Sequence, residues 1–97
     1  MKNAVIDLTF TSESLDVSSA SVRISISNQP DQTVPIGTAQ VTFPNLSAGS
    51  YTYSIETLDV NGNPCANNSQ AYPAVIGSFL VDQLLGDVVT SATITLQ

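Results

Sequence analysis

The feature that most constrains the fold is a strict alternation of apolar and polar residues in short segments separated by turn residues. In residues 19–27, for example, Val22, Ile24 and Ile26 alternate with serines and Arg23. A period of two places alternate side chains on opposite faces of a β-strand, and no segment shows long helical spacing. The sequence therefore predicts antiparallel strands with one dry face and one solvated face.

The same pattern predicts at least six strands along the chain. They cover residues 4–10, 19–27, 38–43, 50–58, 76–81 and 88–96. Residues 28–35 contain Pro30 and Pro35, which indicates a loop or a broken edge strand because proline cannot donate to a β-ladder. So many strands in a chain of 97 residues are too many for one open sheet with a single dry face. We expect two packed layers in a single domain, residues 1–97.

The alternation also predicts the core. The expected core residues are Ile6, Leu8, Val22, Ile24, Val41, Phe43, Leu46, Tyr51, Tyr53, Ile55, Ile94 and Leu96. Gly77, inside the fifth strand, is expected to mark a β-bulge. Residues 82–87 are expected to form the last loop, before the final strand.

Residues 41–56, which read VTFPNLSAGSYTYSIE, are followed by the segment Asp59-Val60-Asn61-Gly62-Asn63. This stretch resembles the signature of bacterial and phage immunoglobulin-like or fibronectin type III-like domains, in which a Leu-x-x-Gly turn, an aromatic strand and an Asp-x-x-Gly hairpin follow one another. The resemblance implies an all-β, antiparallel sandwich of about seven strands. It implies little about function, since this architecture carries many unrelated activities.

Two departures from these families leave a second relative open. The chain has no tryptophan and only one cysteine, so it is not an antibody-type domain. Tyr51 follows Gly49 by two residues, where the usual fibronectin pattern has three. A transthyretin-like domain with the same turn is therefore the alternative.

Four residues of the two turns are predicted to be structural. Leu46 is expected to plug the end of the core, and Gly49 to supply a backbone conformation that a residue with a Cβ enters only at a cost. Tyr51 is expected to bury its ring while its hydroxyl bonds the backbone across the corner, as in a tyrosine corner. Gly62, after Asn61, indicates a tight turn.

The residues needed for catalysis are missing or poorly placed. The chain has no histidine, which excludes Ser-His-Asp and Cys-His nucleophile systems and histidine metal sites. Cys65 has no cationic neighbour in the sequence to lower its pKa, so it is interpreted as a structural thiol. The acidic residues lie at turns or on solvated faces without an aromatic platform for a sugar. We expect no enzyme, no catalytic residues and no cofactor.

The charge balance excludes two classes of partner. Eight acidic residues against Lys2 and Arg23 give a net charge of -6. Binding of nucleic acid or of anionic lipid depends on clustered Lys and Arg, which this chain lacks. We therefore expect neither a nucleic-acid partner nor a membrane partner.

The longest loop, residues 59–72, holds the candidate binding residues Asp59, Asn61, Asn63 and Tyr72. The first three alternate like the start of a calcium loop, but the downstream bidentate glutamate is missing. A plain Asn-Gly turn is the preferred interpretation, so no metal site is predicted. Tyr72 is expected either to contact a partner or to cap the open end of the sandwich.

The expected function follows from the surface and the start of the chain. The outward faces are rich in Ser, Thr, Gln and Asn, as in domains that meet the exterior, yet the chain opens at Met1 without a signal sequence. A protein of a tailed-phage virion, assembled inside the cell and exposed after lysis, reconciles these features. We expect a non-catalytic accessory protein that decorates or stabilises the particle. The alternative is an adhesion or carbohydrate-binding module of a bacterial cell-surface protein.

The expected partners are other protein subunits, with a homo-oligomer possible. Attachment is expected through the end loops, residues 28–37 and 59–72, or through an edge strand that extends a neighbour's sheet. Residues 4–10 and 88–96 are the expected edges, because terminal strands often lie outermost and can exchange between chains.

Overall fold

Antiparallel β-strands make up the fold in the computed structural model, which describes residues 1–82 and 87–96. The strands are β1 (Lys2–Asp7), β2 (Ser19–Ile26), β3 (Gln32–Pro35), β4 (Gln40–Leu46), β5 (Gly49–Asp59), β6 (Ala66–Asn67), β7 (Gln70–Ala71) and β8 (Val75–Val81). The predicted all-β, antiparallel class is confirmed for these residues. In the same part of the chain, no helix is long and apolar enough to cross a membrane.

The strands form two main sheets and one small hairpin. The larger sheet has the order β3-β2-β5-β8, the smaller one pairs β1 with β4, and β6 pairs with β7. The segment with two prolines is an edge strand, as one of its two interpretations predicted. Pro35 lies opposite Ser21 at the outer margin of the larger sheet, where its missing N–H costs no ladder bond.

The core lies between the two main sheets. Ile24 of β2 packs in one cluster with Phe43 and Leu46 of β4, and all three side chains are fully buried. The burial of β2 alternates along its length as its sequence predicts, and Arg23 projects outward to pair with Glu56 at 2.9 Å. The alternation in the sequence of β2 thus correctly predicts which of its residues face the core.

Two predicted strands differ most from the structure in their boundaries. The first strand covers residues 2–7 and not 4–10, and β4 continues through Pro44 to Leu46, where a turn was predicted. Pro44 fits because β4 lies at the edge of its sheet, where its N–H is not needed. Asn45 takes a left-handed φ of 60°, and its N–H donates to Oδ1 of Asn3 on β1.

The bulge predicted at Gly77 is wrong. The pairing of β5 with β8 runs without interruption, with Tyr53 opposite Gly77. A Cβ on Gly77 would lie 2.5 Å from the Tyr53 hydroxyl oxygen, because the tyrosine ring lies over this position. The glycine therefore makes room for a side chain on the neighbouring strand.

The predicted last strand, residues 88–96, is also wrong in the described structure. None of these residues belongs to a strand there, and all are exposed. Ile94 and Leu96, predicted to lie in the core, have 86% and 91% of their surface exposed. Alternation predicts which side chains share a face, but burial also needs another layer to cover that face. Within the predicted loop 82–87, residues 83–86, including Gly86, lie outside the described residues.

Candidate functional site

An open groove lies between β1 and β8 on the described surface. A two-stranded sheet is about 5 Å wide between its strand axes, whereas a four-stranded sheet is about 14 Å wide. The β1-β4 pair therefore leaves part of the larger sheet uncovered. The uncovered part is the inner face of β8 and the adjoining face of β5.

The groove has an apolar floor and an apolar wall. The floor is formed by Tyr53 and Ile55 of β5 and by Val75 and Phe79 of β8. The wall is formed by residues 4–7 of β1, which are apolar except for Asp7 at the end of the strand. This part of the groove has a volume of about 490 Å³. A second depression of about 290 Å³ continues it past Leu8 and Phe10 and shares Ile55 and Val75 with the first.

Aromatic contacts shape the floor. The rings of Tyr51 and Phe79 stack with their centroids 5.4 Å apart, and Tyr53 lies 6.3 Å from Phe79 in a tilted arrangement. Gly77, beneath the Tyr53 ring, allows that ring to lie flat against β8. Aromatic pairs in such arrangements favour a fixed geometry. The floor is therefore preformed.

The exposure of Val75 shows that this face lacks a cover. Val75 lies on the same face of β8 as Phe79 and Val81, and Val81 is buried at the far end of the strand. Val75 nevertheless has 60% of its surface exposed. Its apolar side chain faces the groove, where the smaller sheet does not reach.

The groove also has unpaired strand edges. Among the described residues, β1 pairs only with β4, and β8 pairs only with β5. The other edge of each strand carries backbone N–H and C=O groups that can bond to a further strand. The groove thus offers both apolar contacts and a hydrogen-bonding edge.

The predicted loop residues Asp59, Asn61 and Asn63 form a turn away from the groove. Oδ1 of Asp59 accepts hydrogen bonds from the N–H of Asn61 at 2.9 Å and of Asn63 at 3.1 Å. Gly62 has a φ of 82°, and its N–H donates to the Asp59 carbonyl. The calcium-like spacing is thus accounted for by a turn capped by its own aspartate.

The acidic residues and Cys65 form no reactive cluster in the residues that the structure describes. No group of three or more His, Cys, Asp or Glu residues is placed there to hold a metal ion. Cys65 is buried, and its burial, together with the charge of Asp59, raises the pKa of its thiol. A raised pKa keeps the sulfur protonated and weakly nucleophilic.

Tyr72 lies at the rim of the second depression, beside Pro73. Its hydroxyl donates to the Ser14 carbonyl at 3.3 Å, and about a third of its surface is exposed. Of the four candidate binding residues, it is the one that the structure brings to the groove. Part of its side chain remains exposed to solvent.

Asp16 is a positioning residue that the sequence analysis missed. Its two carboxylate oxygens accept hydrogen bonds from the N–H groups of Asn68 and Ser69, both at 2.8 Å. These bonds hold the pKa of Asp16 below its usual value. Asn68 and Ser69 have left-handed φ values of 51° and 64°, so Asp16 caps the strained β6–β7 turn. The available signal was the Asn-Asn-Ser run, which favours such a turn.

The turn between β4 and β5 closes the end of the core opposite Tyr72. Leu46 is fully buried, and Gly49 has a φ of 151°, within the region that favours glycine. The Tyr51 ring is buried, and its hydroxyl donates to the Ser47 carbonyl at 2.7 Å. These contacts fix the start of β5, which carries the floor of the groove.

Comparisons with protein-family models, with curated proteins and with solved structures found no match to this chain.

Proposed function

We propose that this chain is a non-catalytic structural module that attaches to other protein subunits by accepting a β-strand. The single observation that carries the proposal is the open groove, in which an apolar floor lies beside the unpaired edge of β1. An added strand gains main-chain hydrogen bonds from such an edge and side-chain contacts from the floor.

The proposal includes the fold. One strand beside β1 would bring the two main sheets to the seven strands of an immunoglobulin-like or fibronectin type III-like sandwich. The Leu46, Gly49 and Tyr51 corner supports this family, because its buried tyrosine and backbone hydrogen bond match a tyrosine corner. The open groove would then be the position of the missing seventh strand.

The assembly we propose is a phage virion, in which the chain is an accessory protein that decorates or stabilises the particle. The support is the surface composition. Only 10% of the residues are charged, and the outward positions of β2, β4 and β5 carry many Ser and Thr residues. Such a surface suits a protein that packs in many copies against neighbouring subunits.

Fractionation of virions tests this assignment. Purified particles should contain the chain in a fixed, symmetric copy number, measured by quantitative mass spectrometry. Particles from a gene deletion should assemble but lose infectivity sooner on heating or osmotic shock. A chain that is absent from particles, or present in variable traces, would contradict the virion assignment.

A second candidate function is carbohydrate binding, as in an adhesion module of a bacterial cell surface. The observation in its favour is a polar depression of about 440 Å³ beside the β6–β7 hairpin, lined by Asn67, Asn68, Gln70, Ala71, Tyr72 and Pro73. Amide side chains beside an exposed tyrosine can hydrogen-bond and stack against a sugar. Retention on a glycan array that Tyr72→Ala abolishes would favour this function over the structural one.

A further inference from the structure

We infer that residues 88–96 are a donor strand, and that they fill the groove beside β1 of a second copy of this chain. The inference rests on the proposed function, because it names the partner that the groove accepts. It also explains why a segment with a complete strand pattern lies outside every strand in the described part of the chain.

The donor has the composition of a core strand. Val88, Thr90, Ala92, Ile94 and Leu96 share one face of an extended chain, with Val89, Ser91, Thr93 and Thr95 on the other. Val88, Ile94 and Leu96 have between 81% and 91% of their surface exposed. Apolar side chains in regular alternation are suited to cover the dry face of a sheet. The apolar side chains of residues 88–96 cover no sheet of their own chain in this structure.

The acceptor matches this donor in length and chemistry. The groove follows β1 and its continuation from Ala4 to Phe10, about 23 Å of extended chain. Residues 88–96 span about 30 Å when extended and are long enough to fill it. The donor carries no charged residue, so it brings no charge of its own onto the apolar floor.

A second copy is the occupant because the segment does not return to its own groove. The groove is open in the same structure in which residues 88–96 are exposed. When two copies exchange an identical segment, the apolar face of residues 88–96 from one copy can pack into the groove of the other. Each copy carries a net charge of -6, so two copies repel each other. Because the donor strand is uncharged, it keeps this repulsion low at the contact.

Disulfide trapping between two differently substituted chains tests the inference. In a Cys65→Ala background, one chain carries Val5→Cys, on the outward face of β1, and the other carries a cysteine at Val89, Ser91, Thr93 or Thr95. The two chains are refolded together and oxidised mildly. A disulfide forms only where neighbouring strands bring two Cα atoms within about 7 Å on the same face.

The expected result is a disulfide-linked heterodimer for at least one of the four outward positions. Matched controls at Thr90 and Ala92, which face the groove, should give at least ten times less product, because their side chains lie on the opposite face from Val5. A single chain with Val5→Cys and Thr93→Cys should form links between copies. An intramolecular link in that chain, with no heterodimer from the mixed chains, would overturn the inference in favour of closure on the same chain.

A measurement on the unsubstituted chain guards against failure of the variants to fold. Sedimentation should show a dimer or a longer chain of copies, and a chain that ends at Asp87 should lose this association. A monomer at all concentrations would overturn the inference. If the chain were monomeric yet present in fixed copy number in virions, the proposed function would stand without strand exchange. If the copies exchanged strands but virions lacked the chain, strand exchange would stand and the virion assignment would be wrong.

Discussion

The two sides of the core differ in how completely they are covered. On the β4 side, Ile24, Phe43 and Leu46 are fully buried, whereas on the β1 side Val75 is 60% exposed and Ile6 is only partly buried. The residues on both sides are equally apolar and alternate in the same way. The two sides therefore differ in how far the smaller sheet covers them, and the open side is where we propose that an added strand lies.

The largest effect should come from opening the covered side. Ile24→Ala should lower the free energy of unfolding by about 2–5 kcal/mol, because it leaves a cavity in a fully packed core. Ile6→Ala, on the open side, should cost less in the monomer, since part of its side chain already contacts solvent. Urea unfolding of dilute protein measures both.

The matched control is Arg23→Ala, on the outward face of the same strand as Ile24. Its ion pair with Glu56 is partly exposed, so its loss should change the unfolding free energy much less than Ile24→Ala does. Equal losses of unfolding free energy for Ile24→Ala and Ile6→Ala would contradict the conclusion that one side of the core is covered and the other is open.

The preformed floor of the groove can be tested at Gly77. Gly77→Ala places a Cβ against the Tyr53 ring and should cost about 1–3 kcal/mol of unfolding free energy. Tyr53→Ala removes the clash, so the two substitutions together should cost clearly less than the sum of their separate effects. A double-mutant cycle measures this coupling, and simple additivity would show that the ring does not lie over Gly77.

The corner that supports the floor should contribute a smaller amount. Tyr51→Phe keeps the ring but removes the hydroxyl that donates to Ser47, which should cost about 1 kcal/mol. Tyr53→Phe is the control, since its hydroxyl makes no hydrogen bond among the described residues. Thermal unfolding of the two variants should separate them, and equal melting temperatures would argue against a role for the Tyr51 hydrogen bond.

The smallest expected effect is the pH dependence that Asp16 provides at the β6–β7 turn. Because folding lowers the pKa of this carboxyl, its contribution is complete above the usual value of 3.8 and is lost as the pH falls through the lower, folded-state pKa. The melting temperature of the protein should therefore approach that of Asp16→Asn in acid. A difference between the two proteins that stays constant as the pH falls would contradict this.

The strand pattern predicted the covered side of the molecule well. The alternation in β2 and in residues 39–43 depends on each strand's own sequence, and the structure buries Val22, Ile24, Val41 and Phe43 as predicted. The prediction for residues 88–96 used the same rule and failed for Ile94 and Leu96. Patterning specifies a face, but it does not specify which chain supplies the layer that covers it.

The site could be predicted only in part for the same reason. Tyr72 is predicted, from its place in the longest loop, either to contact a partner or to cap the open end of the fold, and it lies at the groove rim. The role of Gly77 depends on Tyr53, and the role of Asp16 depends on the turn at Asn68. Because both partners are distant in sequence, the strand pattern did not predict these two roles. Such roles depend on contacts between segments that are far apart in the chain, and alternation within one strand does not specify those contacts.

Amide hydrogen exchange over a dilution series tests the central claim most directly, because it reports on the donor and the acceptor at once. If residues 88–96 of one copy pair with β1 of another, their amides should be protected at high protein concentration, together with the free edge of β1. Protection of both segments should disappear together on dilution, while β2 and β5 stay protected. Protection that does not depend on concentration, or rapid exchange of residues 88–96 at every concentration, would contradict the account.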